Sequence, residues 1–347
     1  MERRACALLI AAILPACGGK VVVDGTGAAG AASTASAGTS GGPGAGGGSA
    51  GSTMTGGGSS IPLAYNLAEY VDATIWPYLL PTSAIDSTGR LFVTDGQTVY
   101  ALFDGVASIY LSHADLNATF PDPNAYVTVT SLDVGPDDRL YLLSGGYPEK
   151  VLVSNGPHNV TVHMTWADTE TDQSPRRLAV ENPNRVLIIT KGCGLYALTP
   201  QGTKQIYYNL TVPSNNDDCD SADFVVSQDG DFYYSPGCSF TNLYAGKTDG
   251  SGAGILKTVD DFQDFPKWSF AALARHEGGG AVVNFVGKAI YLDPSGKATE
   301  LSMNPPMTEF KEGVLGVLVF ETARIEIGPS GDIYFINSQS IYRATPL

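Results

Sequence analysis

From Ile61 to the C-terminus, short apolar and aromatic runs alternate with clusters of Gly, Pro, Asp, Asn and Ser. The last cycle shows the unit most clearly. Ile325-Glu326-Ile327 leads through Gly328-Pro329-Ser330-Gly331-Asp332 into Ile333-Tyr334-Phe335-Ile336, and Ser340-Ile341-Tyr342-Arg343-Ala344 follows. This predicts three short strands joined by tight turns. Proline presets φ at the first corner of a turn and glycine accepts positive φ later, while Ile, Tyr and Phe suit a pleated sheet.

The unit occurs five more times upstream. Taking Gly89, Asp138, Asn184, Gly230, Gly279 and Gly331 as the turn markers, the steps are 49, 46, 46, 49 and 52 residues. Third strands are predicted at Val99 to Leu102, Val151 to Val153, Leu195 to Leu198, Leu243 to Ala245, Ile290 to Leu292 and Ile341 to Tyr342. Fourth strands are predicted at Ala107 to Leu111, Val160 to Thr165, Lys204 to Tyr208, Ile255 to Val259 and Lys297 to Leu301. The sixth unit has no fourth strand before Leu347, so Leu63 to Ala73, ahead of the first unit, is the natural supplier. A period of this length with several strands per unit signals a β-propeller blade, which buries its faces only against neighbouring blades. The fold expected is all-β: a six-bladed propeller of four-stranded blades over residues 61–347, the last closed by an N-terminal strand that removes free edges.

The spelling of Val226-Ser227-Gln228-Asp229-Gly230-Asp231-Phe232-Tyr233 and of Ile327-Gly328-Pro329-Ser330-Gly331-Asp332-Ile333-Tyr334 resembles the NHL-repeat and SMP-30-like six-bladed propellers. That resemblance implies a ligand face at the loops leading into the innermost strands. In several SMP-30-like enzymes and paraoxonases it also implies a divalent metal held there by Asn, Asp and Glu. Aligned on Ile85, Val134, Val180, Val226, Ala274 and Ile327, the residues four earlier are Pro81, Thr130, Arg176, Ala222, Phe270 and Ala323. None is the carboxylate or amide that calcium prefers, and this departure argues against a lactonase. One residue before the aligned positions stand Asp133 and Glu326, which would face an axial channel from blades two and six, as site residues or as carboxylates solvated by channel water.

Other candidates lie on the same face. Asp217, Asp218 and Asp220, in the densest acidic loop, would clamp Ca²⁺ or form a solvated loop; their spacing is not that of an EF-hand. Calcium is the one cofactor with a candidate site. Trp76, Trp166 and Trp268 all precede inner strands, where they would form an aromatic rim for sugars or peptide aromatics, or pack between neighbouring blades. The four histidines have no metal spacing, and no Gly-x-Ser-x-Gly elbow occurs. Cys193, Cys219 and Cys238 cluster on blades three and four and admit one disulfide, with Cys219 as one partner and Cys193 or Cys238 as the other.

The N-terminus changes the setting. A basic head, Met1 to Arg4, precedes an apolar run from Ala5 to Leu14, too short to span a bilayer. Leu14-Pro15-Ala16-Cys17 resembles the lipobox of bacterial lipoproteins, which implies a diacylglycerol on Cys17; Pro15 departs from the usual pattern. Residues 18–60 are Gly, Ala, Ser and Thr with few large side chains, a disordered tether with a reach of about 35 Å. The Gly18-Gly19 start after Cys17 lacks the acidic residue that, by resemblance to enterobacterial lipoproteins, implies inner-membrane retention, which favours the outer membrane or cell surface, with the periplasm as alternative. The net charge of −15, from 35 acidic and 20 basic residues, excludes a nucleic-acid partner. The sequence thus predicts a monomeric, membrane-tethered binding or scaffold module for an unknown protein, peptide or glycan; the alternative is a divalent-metal-dependent lactonase or related hydrolase. Cys17→Ser is expected to release the protein from membranes, read by fractionation; a variant that stays in the membrane fraction with unchanged mass would contradict lipidation.

Overall fold

Each turn in the repeat reverses an apolar run, so successive runs pair as antiparallel neighbours. The computed structural model describes residues 61–72, 82–120, 127–145, 148–166, 174–191, 194–207, 223–227, 230–235, 242–252, 254–258, 271–285, 288–309, 311–312, 317–318, 324–337 and 340–347. After β1 (Ala64–Asp72), the first unit is β2 (Ser83–Ile85), β3 (Leu91–Thr94), β4 (Val99–Phe103) and β5 (Val106–Leu111). The second is β6 (Thr128–Val134), β7 (Leu140–Gly145), β8 (Lys150–Ser154) and β9 (Val160–Thr165). The third is β10 (Pro175–Asn182), β11 (Arg185–Thr190), β12 (Leu195–Thr199) and β13 (Gly202–Tyr207), and the fourth β14 (Asp223–Val226), β15 (Asp231–Ser235), β16 (Asn242–Lys247) and β17 (Gly254–Thr258). The fifth is β18 (Ala271–Arg275), β19 (Ala281–Phe285), β20 (Lys288–Leu292) and β21 (Ala298–Asn304). A short ribbon, β22 (Lys311–Glu312) with β23 (Val317–Leu318), precedes the last unit, β24 (Arg324–Ile327), β25 (Ile333–Ile336) and β26 (Ser340–Pro346). The helical turn α1 (His113–Asn117), absent from the expected elements, is started by Ser112 through a capping box with Asp115.

The first four units are separate four-stranded sheets. The fifth and last are joined in one eight-stranded sheet, β18-β19-β20-β21-β1-β26-β25-β24. β1 runs antiparallel to β26, from Tyr65 opposite Pro346 to Asp72 opposite Ser340, and so supplies the missing fourth strand. Its other edge pairs parallel with β21 through Ser302, Met303 and Asn304. All three partners lie beyond Leu301, where the strand was expected to end. The extra length merges two expected blades into one sheet and covers an edge of β1 that would otherwise be open.

The turns account for the repeat. In five units the first turn residue accepts from the N–H three residues on and donates to the carbonyl four residues on: Asp86, Gly135, Ser227, His276 and Gly328 all do both. The residue at the third step has positive φ: 83° at Gly89, 60° at Asp138, 73° at Gly230, 87° at Gly279 and 82° at Gly331. The third unit instead closes by a two-residue turn at Pro183-Asn184 between Asn182 and Arg185.

The core lies between units. Six apolar clusters join neighbours in turn, for example Phe92 with Leu132 and Leu142, Leu187 with Phe232, and Ile336 with Leu91. The innermost strands contact one another in a closed ring, β2 to β6, β10, β14, β18, β24 and back to β2. This is a β-propeller. Deleting residues 61–72 bares the edges of β21 and β26 and removes Tyr65 and Leu67, 0% and 3% exposed, from the core. The deletion is expected to destabilise the domain more than Phe335→Ala, which costs about 3–5 kcal/mol; calorimetry showing an unchanged melting temperature for the deletion would contradict closure by β1.

Candidate functional site

The ring of inner strands encloses a cavity of about 340 Å³, lined by side chains from β2, β6, β10, β14, β18 and β24 and by the turns that follow several of them. Strand alternation decides what faces it. In each unit the inner hairpin has a closing pair of residues six apart: Ile85 with Leu91, Val134 with Leu140, Val180 with Val186, Val226 with Phe232, Arg275 with Ala281 and Ile327 with Ile333, with one further pair, Asn182 and Arg185, beyond it in the third unit. Arg275 therefore fills a place that five units give to Ile or Val. One residue earlier the units carry Ala84, Asp133, Ala179, Val225, Ala274 and Glu326. The pairing moves the fifth unit one residue from the alignment on Ala274 that the sequence suggested.

Three residues before the closing pair, polar side chains tie the ring together. Thr82 Oγ1 accepts from Leu132 N at 2.9 Å, Ser131 Oγ from Leu178 N at 3.1 Å and Asp223 Oδ2 from Leu273 N at 2.6 Å. Each bond satisfies an inner-edge N–H from the neighbouring unit, a group that a sheet edge otherwise leaves unpaired. At this level Arg324 Nη1 pairs with Asp223 Oδ1 at 2.6 Å, linking the last unit to the fourth, and both side chains are largely buried. Arg177 Nη1 donates to Thr130 O at 2.9 Å.

Asp133 and Glu326, both expected to face the axis, line the cavity together. Asp133 accepts from Val180 N at 2.6 Å and from Val134 N at 2.9 Å, and Glu326 Oε1 accepts from Ser83 Oγ at 2.7 Å. Both residues are half-buried where they line the cavity. Burial pushes the Glu326 carboxyl up to about 8; the Ser83 bond opposes this, the charges of Asp133 and Asp223 add to it, and Arg275 counters them. Burial also raises Asp133, against the pull of Arg275 and two backbone N–H groups. Two carboxyl groups that hold protons unusually tightly in one cavity are equipped for acid–base chemistry. His276, at the turn after β18, lines the same cavity, and burial lowers its pKa.

The divalent metal implied by the family resemblance does not fit these residues. Among the described residues no three His, Cys, Asp or Glu side chains come together as a metal site. Asp223 has both oxygens engaged by Arg324 and the backbone, and the guanidinium of Arg275 lines the same cavity as a positive charge acting on Asp133 and Glu326.

The remaining candidates are placed as follows. Trp166 is 5% exposed and meets Tyr196 of the next unit edge-on at 5.4 Å, so it fills an interface between units and belongs to no rim. Cys17, Trp76, Cys193, Asp217, Asp218, Cys219, Asp220, Cys238 and Trp268 lie outside the described residues. The sequence reading missed Ser83, Arg177, Asp223, Arg275 and Arg324. Stepping by two from Asp133 to Ser131 and from Glu326 to Arg324, and repeating that step in every unit, reaches Arg177 and Asp223.

No family model matches the chain, and no curated protein matches it in sequence. Solved structures do. The gluconolactonase XC5397 from Xanthomonas campestris is 13% identical, with a TM-score of 0.54 over 81% of this chain and 89% of that one. A putative gluconolactonase is 12% identical, with a TM-score of 0.55 over 82% and 93%. A luciferin-regenerating enzyme is 12% identical, with a TM-score of 0.52 over 80% and 95%. At these identities the likeness shows the fold alone, a β-propeller.

A raised carboxyl pKa has a sign in stability. Between the ordinary Glu value of 4.5 and about 8, folded Glu326 holds a proton that the unfolded chain has released, so it erodes stability as pH rises through that window. Glu326→Gln removes this dependence and still accepts the Ser83 hydrogen bond. Its melting temperature is expected to exceed that of the parent at pH 9 and to converge with it near pH 4; parallel pH profiles would contradict the burial of an acid at Glu326.

Proposed function

We propose that the domain is a small-molecule hydrolase acting in the axial cavity, with cyclic esters as its substrate class, and that a lipid on Cys17 holds it at a membrane as a ring of six blades. The observation that carries this reading is the pair Asp133 and Glu326, held facing the axis by backbone N–H groups and by Ser83. The likeness to lactonase folds favours the ring-opening reaction over the binding or scaffold role expected from sequence.

The chemistry follows from the two acids. Glu326, with a pKa near 8, is protonated at neutral pH. Asp133 acts as the base: in its ionised form it takes a proton from water as the water oxygen bonds to the acyl carbon. When the ring C–O bond breaks, the leaving alkoxide takes the Glu326 proton; the open-chain hydroxy acid ionises and returns a proton to Glu326, and Asp133 releases to solvent the proton it took from water. A base is more effective as its pKa rises toward the working pH, and burial moves Asp133 in that direction. The cavity is of a size for a small ligand and not for a polymer. A binding module is the second reading, supported by the poor fit of a metal to the described residues.

A screen of five- and six-membered lactones, read by pH-stat, tests the proposal. Turnover is expected, with Glu326→Gln and Asp133→Asn each lowering kcat by roughly 10²–10⁴ while the proteins stay folded. No turnover across the screen, or full activity in both variants, would overturn the enzymatic reading.

A further inference from the structure

The repeat provides its own control for deciding which residues the fold requires. At the pair that closes each inner hairpin, five units carry Ile85, Val134, Val180, Val226 and Ile327, and the fifth carries Arg275. A β-branched or aliphatic side chain thus satisfies the architecture at this place, and a guanidinium is not needed to build it. The other two arginines of the cavity are tied down: Arg324 to Asp223, Arg177 to the Thr130 carbonyl. Arg275 is attracted by Asp133 and Glu326 but hydrogen-bonds to none of the described residues. Its planar fork of donors is open to the cavity.

Charge points the same way. The protein carries a net charge of −15, yet the inner strands bring three arginines, Arg177, Arg275 and Arg324, against three acids, Asp133, Asp223 and Glu326, while Asp86, Asp138 and Glu277 line the cavity from the turns. Glu326 holds its proton up to about pH 8, so at neutral pH the three guanidiniums of the inner strands face at most two carboxylates from those strands.

We propose that Arg275 is the anchor of an anion site in the axial cavity, which takes the carboxylate group of a small organic acid directly on its guanidinium, with no divalent cation between them. A guanidinium matches a carboxylate two bonds at a time, which a point charge does not. The proposal rests on the cavity being the ligand site but not on turnover there, and it holds equally for a binding module.

The test uses the full chain in detergent, with acetate, malate and citrate as probes and chloride at matched ionic strength as the control. Binding is followed by thermal shift and calorimetry, with and without EDTA. At least one carboxylate is expected to raise the melting temperature saturably, to the same extent in EDTA. Arg275→Val restores the residue type of the other five units and so is expected to fold; it should weaken that carboxylate at least tenfold. Arg275→Lys should retain part of the affinity. No carboxylate binding, binding that survives Arg275→Val, or binding that EDTA abolishes would each overturn the site. Carboxylate binding that needs Arg275, in a protein inactive on every lactone, would sustain the anion site and remove the hydrolase.

Discussion

A sheet of four short strands with apolar residues on both faces cannot be stable alone, and everything else in this domain follows from how those faces are covered. Each of the six apolar clusters draws on two adjacent units. Burial of apolar surface is worth about 25 cal/mol per Å², so a missing neighbour costs a whole face, and the series is satisfied only when it closes. β1 makes the closure by covalent geometry: it precedes the first unit in sequence and completes the last in space. Pairing with β21 on its second edge ties the fifth unit into the same sheet.

Closure has a consequence at the axis. The innermost strand of every unit presents an edge to the channel, and unpaired N–H groups there would carry the penalty of a buried, unsatisfied donor. Thr82, Ser131 and Asp223 meet that demand with side-chain oxygens aimed at the next unit. Part of the polarity of the channel is therefore architectural. What the architecture does not require is Arg275 at a position of Ile and Val, or two carboxylic acids in a row otherwise made of Ala84, Ala179, Val225 and Ala274. Those three residues are the departures on which the functional reading stands.

The fold was legible because its signals are local. A glycine or aspartate at positive φ marks the same turn step in five units, and fourth strands such as Val160–Thr165 fall where the apolar runs place them. The fusion through β21 was not legible, since Ser302 to Asn304 look like a polar loop and become strand only when β1 lies beside them. Asp133 and Glu326 were legible as acids at one register of the inner strands. Arg275 was hidden by a one-residue shift: Ala274 looks like the apolar position, and only the pairing of Arg275 with Ala281 gives the true phase. Asp223 and Arg324 form an ion pair between units that are not neighbours in the ring, and no spacing along the chain encodes such a contact.

The electrostatics of the channel join these points. Burial makes Glu326 a carboxylic acid at neutral pH, Arg275 moderates the charge of both acids, and the Arg324–Asp223 pair fixes the level beneath them. Breaking one partner of such a buried pair typically costs about 3–5 kcal/mol, so the floor of the cavity is rigid while its acids and Arg275 remain open to a ligand. The central claim is that this cavity is where the protein meets its small molecule. A crystal structure grown with a non-hydrolysable lactam tests it most directly. The account predicts the ring lying between Asp133, Arg275 and Glu326 with no metal ion at the axis. A lactam bound elsewhere on the domain, or a divalent ion coordinated at the axis, would contradict it.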